Sequence, residues 1–175
     1  MSKMPLEPDS PDPDPFTSEQ WQTDGGSRLD MIIDGRCWPS KTIDDVRARL
    51  GRATDVVCES CGWPSLEVGA LLCDDVRMSE LNGQFRGKPT PTNVLSFPAG
   101  DEAGPDVERA APGELAIAFE TVRDEAVRDG KPFGDHLVHL WIHGLLHLMG
   151  HDHETEAEAE ICLLYTSPSP RDSLE

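Results

Sequence analysis

His143-Gly144-Leu145-Leu146-His147-Leu148-Met149-Gly150-His151-Asp152-His153 closes the most apolar helical stretch of the chain, Phe133–Met149. His143 and His147 are four residues apart, so on a helix their imidazoles share one face about a turn from each other. Gly150 follows, and glycine takes the left-handed conformation that ends helices. That turn would swing the chain back and deliver His153 as a third ligand. Three protein ligands leave one coordination position open, which marks a catalytic rather than a structural zinc site. The spacing therefore predicts a metal-binding cleft formed by a histidine-bearing helix and the turn after it.

Reading outward, Leu29–Ile33 is a first strand, and Ser40 caps a helix running to about Leu50 with Ile43, Val46 and Leu50 on one face. Leu66–Cys73 is a strand and Ser79–Phe85 a short helix. Asn93–Phe97 and Glu114–Phe119 are strands, and Glu120–Asp129 is a helix that Gly130 stops. The glycine- and proline-rich stretch 98–113 is a loop. Helices alternate with strands, so the fold class is α/β (α+β), a small mixed sheet packed with helices.

Residues 1–28 read as a disordered extension, since five prolines from Pro5 to Pro15 alternate with acids and leave little to bury. Phe16 and Trp21 are the exceptions. The folded domain spans 29–161. From Cys162 the string Cys-Leu-Leu-Tyr-Thr-Ser-Pro-Ser-Pro-Arg-Asp172 is unrelated to what precedes it and reads as the translation of a sequencing-library transposase adapter. The expectation for residues 162–175 is thus an adapter-derived, non-native tail, the alternative being a natural flexible one.

The chain has 175 residues, is 37% hydrophobic and carries a net charge of -18. Residues 29–153 alone hold 21 acids against 12 bases. A grip on naked nucleic acid needs a basic patch, which here would come from a few residues such as Arg77, Arg86 and Lys88. No apolar run approaches the ~20 residues that cross a bilayer. No signal peptide is visible, and five cysteines do not suit a secreted disulfide framework. A cytoplasmic location follows as the expectation. Cys58-Glu59-Ser60-Cys61 is a lone pair of thiols, read as a reduced turn because a structural zinc site needs a second pair of ligands.

The His-x3-His-x5-His spacing matches metzincin proteases except at the general base. There a glutamate follows the first histidine; here the residue is Gly144, which can neither accept a proton nor polarise water. Imidazoles suit zinc, and a zinc-bound water is acidified to a pKa of about 7. His139 lies one turn before His143 and could orient a ligand or touch substrate. Asp152 could bond the far nitrogen of a ligand or cap the turn.

These residues, with a second block, resemble the YbeY family of metal-dependent endoribonucleases, the rRNA maturation factors. His143–His153 fits that family's His-Gly-x-Leu-His-Leu-x-Gly-x-Asp-His motif without exception. The block from Leu81 through Asn82, Phe85, Arg86, Thr92, Asn93, Val94, Leu95 and Ser96 to Phe97 looks like its Leu-Asn-x-x-Tyr/Phe-Arg and Thr-Asp/Asn-Val-Leu-Ser-Phe segments. Gly113–Ile117 is a weaker match to a Gly-Asp-Ile strand, and His136 and His139 sit where the family often has histidines.

The resemblance implies one Zn(2+) at His143, His147 and His153, and single-strand RNA cleavage at the 3′ end of small-subunit ribosomal RNA. It also implies a part in ribosome quality control, with ribosomal RNA and the ribosome or a ribosomal protein as partners and no DNA or membrane among them. Arg86 matches a functionally important arginine of the family. Physically, a phosphodiester transition state needs positive charge, and a guanidinium supplies it through two parallel hydrogen bonds. Arg86 and His139 are the catalytic candidates, with general-base work falling to His139 or to metal hydroxide alone. The competing readings are a metalloprotease-like hydrolase, opposed by Gly144, and a non-catalytic ribosome-assembly factor.

Overall fold

The structure, a computed structural model, describes residues 14–99 and 110–150. The elements in chain order are β1 (Phe16–Gln22), β2 (Arg28–Asp34), α1 (Ser40–Cys61), β3 (Leu66–Cys73), α2 (Asp75–Arg86), β4 (Val94–Pro98), β5 (Ala110–Ala118), α3 (Phe119–Arg128) and α4 (Phe133–Leu148). The strands form one mixed sheet in the order β1-β2-β3-β5-β4. β2, β3 and β5 run parallel, and β1 and β4 flank them antiparallel. This is the small mixed sheet packed with helices that the alternating pattern predicts.

Alternation along each strand sends its side chains to two faces. Leu29, Met31 and Ile33 of β2, Leu66, Val68 and Leu72 of β3, and Leu115 and Ile117 of β5 join the main core. α1 and α4 cover it, with Val122 of α3. α4 is apolar nearly all round because it lies between α1 and the sheet. It buries Leu137, Val138, Trp141, Ile142, Leu145 and Leu146, each worth about 1.5–3 kcal/mol relative to exposure. The two long helices are also pinned by Trp141, whose indole N–H donates to Thr54 Oγ1 at 2.9 Å. The other face is covered only in part. Met78 and Leu81 of α2 pack there on Leu95, Ala116 and Ala118. Beyond them Ile32, Leu71, Phe85 and Phe97 line an open apolar groove of about 720 Å³.

Residues 16–28 are not disordered, which corrects the expectation for 1–28. β1 pairs along its length with β2, from Phe16 opposite Asp34 to Gln22 opposite Arg28. An edge strand needs only its neighbour's ladder and one anchor, so its sequence need not be apolar. The anchor is Trp21, buried under the Arg47 guanidinium with its indole N–H donated to Glu19. Ser27 is fully buried, and its Oγ accepts the Leu66 N–H. Residues 1–13, and the 162–175 tail, lie outside the described residues.

Several element boundaries also differ. Pro39, not Ser40, sits at the N-cap of α1, and the helix runs on to Cys61, where Gly62 at φ 77° returns its N–H to the last turn. Cys58 and Cys61 therefore belong to a helical end rather than a turn. α2 begins at Asp75 because Asp74 accepts the Arg77 N–H, a cap the expectation of a start at Ser79 overlooked. β5 starts at Ala110, inside the segment expected to be loop. No described helix is long and apolar enough to cross a membrane.

Candidate active site

The 3.6-residue period of α4 puts His139, His143 and His147 on one stripe, half-buried at the first two and exposed at the third. All three line a cleft of about 360 Å³ with Arg86, Asn93, Val94, Ser96 and Leu140. The His143 and His147 ring centroids are 6.5 Å apart and tilted by 34°. Two imidazoles one helical turn apart, facing open space, are a donor pair suited to zinc. Gly150 has φ +92°, and its N–H returns to the His147 carbonyl at 3.1 Å. The left-handed turn expected there is present. His151, Asp152 and His153 lie outside the described residues, and among the described residues no group of three or more His, Cys, Asp or Glu is placed to hold a metal ion.

Arg86 reaches the same cleft from the opposite side. It is the last residue of α2 rather than part of the following loop, because the helix ends only at Gly87, whose φ is +72°. Its Nη2 donates to the Ser96 carbonyl of β4 at 3.3 Å. A guanidinium carries five N–H donors in a planar fork, so this bond aims the side chain and leaves donors for a phosphate. The turn after α2 is held by Asn82, which is buried and donates to the Thr90 carbonyl at 2.8 Å. A Cβ at Gly83 would stand 3.3 Å from Pro89, so the loop lies close over the helix. Leu81, Asn82 and Gly83 thus serve the placement of Arg86 and of the strand entered at Asn93.

A family model described as Endoribonuclease YbeY matches residues 39–163, from the start of α1 onward. The chain belongs to the YbeY family. Among its relatives, an Endoribonuclease YbeY of Dinoroseobacter shibae is 48% identical over 130 residues, covering 66% of this chain and 71% of that protein. One of Jannaschia sp. is 43% identical over 144 residues, covering 76% and 88%. The solution structure of a Thermotoga maritima protein, TM1509, superposes with a TM-score of 0.55 at 28% identity, covering 83% of this chain and 91% of that one.

The protein departs from a peptidase for a packing reason as well as a chemical one. Gly144 is buried against β5, where a Cβ would stand 2.8 Å from Leu115 Cδ2. Any side chain at 144 points into the core and away from the cleft, so a glutamate there could not act as a base in it. Leu115 is itself 1% exposed and has little room to retreat. Gly144→Ala should therefore lower stability. Overpacking costs about 1–3 kcal/mol and exceeds the ~1 kcal/mol of helix propensity gained. A melting temperature a few degrees below the parent is expected by calorimetry, and an equal or higher one contradicts the packing account.

The remaining candidates separate cleanly. Cys58 is buried within α1, and burial pushes its thiol up to about 11, so at neutral pH it is protonated and unsuited to redox attack. Arg77 pairs with Glu80 at 3.0 Å on α2, which shrinks the small basic patch to Arg86 and Lys88. Sequence reading missed Glu125 and the bonding of Asn93. Glu125 Oε1 lies 2.8 Å from His136 Nε2 and 3.0 Å from Asn93 Nδ2. Asn93 stood within the motif block, but nothing in a polar helix face distinguished Glu125 from the acids around it.

Proposed function

We propose that this protein is a metal-dependent single-strand endoribonuclease of the cytoplasm that matures the 3′ end of small-subunit ribosomal RNA and takes part in ribosome quality control. The observation that carries this reading is the meeting of Arg86 with His139, His143 and His147 around one cleft. A cation-binding stripe and a guanidinium on opposite walls are what a phosphodiester needs, since negative charge grows on the phosphoryl oxygens as the bond breaks.

His143, His147 and His153 would hold one Zn(2+). When bound, that ion supplies Lewis acidity and makes water available as hydroxide at neutral pH. Arg86 binds two oxygens of the scissile phosphate and orients it. His139, one turn before His143, holds or accepts a proton beside it. The acidic surface repels free RNA, so recognition falls on a ribosomal context, the ribosome or a ribosomal protein, which brings the strand to the cleft.

The test offers purified protein labelled single-stranded ribosomal RNA, and casein as a control, each with and without a chelator. The expected result is RNA cleavage that the chelator stops and added zinc restores, with casein intact. Casein cleavage would support a peptidase. Metal binding and ribosome co-sedimentation with no RNA cleavage would support an assembly factor and overturn the nuclease reading.

A further inference from the structure

We propose that Glu125, outside the cleft, is a positioning residue that fixes the two cleft walls relative to each other; this rests on the ribonuclease reading above. Its carboxylate takes hydrogen bonds from both walls. Asn93, at the entry to β4, donates through Nδ2 to Oε1 at 3.0 Å and to Oε2 at 3.3 Å. His136, near the start of α4, meets Oε1 through Nε2 at 2.8 Å. A carboxylate only accepts, so His136 carries its proton on Nε2.

Each bond acts on a group at the cleft. The Asn93 amide cannot turn over, because its Oδ1 already accepts the Val94 N–H at 2.6 Å. Asn93 lines the cleft, and Glu125 does not. His136 is buried, and its ring stacks on that of His139 at 6.3 Å between centroids and 14° between planes. His139 is the proton-handling candidate on the opposite wall. One carboxylate on α3 thus holds Asn93 directly and His139 through His136. The three side chains come from the segment before β4, from α3 and from α4, and Glu125 links them where it is only 22% exposed.

The bonding pattern dictates a swap. Asn93→Asp alone would set a second carboxylate against Glu125 and break the link. Glu125→Gln on that background restores it in part, because glutamine donates to the new aspartate through an Nε2 in the place of Oε2, the 3.3 Å contact, and still accepts from His136 through Oε1. Glu125→Ala removes both bonds.

The experiment measures kcat and KM for single-stranded RNA cleavage in the parent, Glu125→Ala, Asn93→Asp and the Asn93→Asp/Glu125→Gln double variant, with melting temperature alongside. The expected result is a kcat about 10- to 100-fold lower in Glu125→Ala and Asn93→Asp, with KM nearly unchanged, and a double variant that recovers at least about 3-fold over Asn93→Asp. A Glu125→Ala kcat within about twofold of the parent, or a double variant no better than Asn93→Asp, overturns the proposal. If the parent itself does not cleave RNA, the ribonuclease reading falls. The link is then judged alone from the Asn93 side-chain amide in 15N NMR spectra. A large shift in Glu125→Ala supports it, and an unmoved signal overturns it.

Discussion

Replacing His147 with alanine should leave a folded protein that holds no stoichiometric zinc and cleaves RNA on the order of 10³-fold more slowly. His147 is exposed on α4, and exposed substitutions without buried partners usually cost within about 0.5 kcal/mol. The change therefore removes the proposed ligand and little else. The loss corresponds to about 4 kcal/mol of transition-state stabilisation, the size expected when a charge clamp is withdrawn. His143→Ala should behave alike with a somewhat larger stability loss, since His143 is half-buried. Elemental analysis and a single-turnover RNA assay check both. A His147→Ala protein that retains a full equivalent of metal would remove this helix from the ligand set and take the zinc assignment with it.

Arg86→Ala should lower kcat by about 10²–10³-fold, or roughly 2.7–4 kcal/mol, while zinc content stays at the parent level. That pairing of results separates it from the histidine variants. Arg86 is exposed, and the bond it gives up in the structure is the one to the Ser96 carbonyl, so melting temperature should move by no more than a few degrees. Arg86→Lys should recover little, because an ammonium keeps the charge but not the planar fork that meets two phosphate oxygens at once. Full recovery by lysine would show that charge alone suffices, and unchanged kcat in Arg86→Ala would end the role assigned to this side chain.

The two sets of variants probe parts of the site that differ in how readable they were. His143 and His147 are spaced by one helical turn in the chain itself, so their shared face follows from helix geometry alone. The Gly150 turn is equally local. Leu66–Cys73 is observed as a strand over the residues its aliphatic pattern marks. The period of side chains within an element is written in the sequence because the backbone imposes it.

What the sequence did not carry is the meeting of elements. β1 lacks an apolar pattern, and it exists because β2 offers a ladder and α1 offers Arg47 to cover Trp21. Arg86 meets the histidine stripe because the strand order β3-β5-β4 sets β4 at the sheet edge against α4, and the Ser96 carbonyl of β4 then holds the guanidinium that comes from the end of α2. Glu125 joins Asn93 and His136 across 32 and 11 residues of chain. Spacing within one element determined the stripe of His139, His143 and His147 along α4. Only packing between elements brought Arg86 and Asn93 to the same cleft and tied Asn93 to Glu125 behind it, because such contacts depend on the order in which strands enter the sheet.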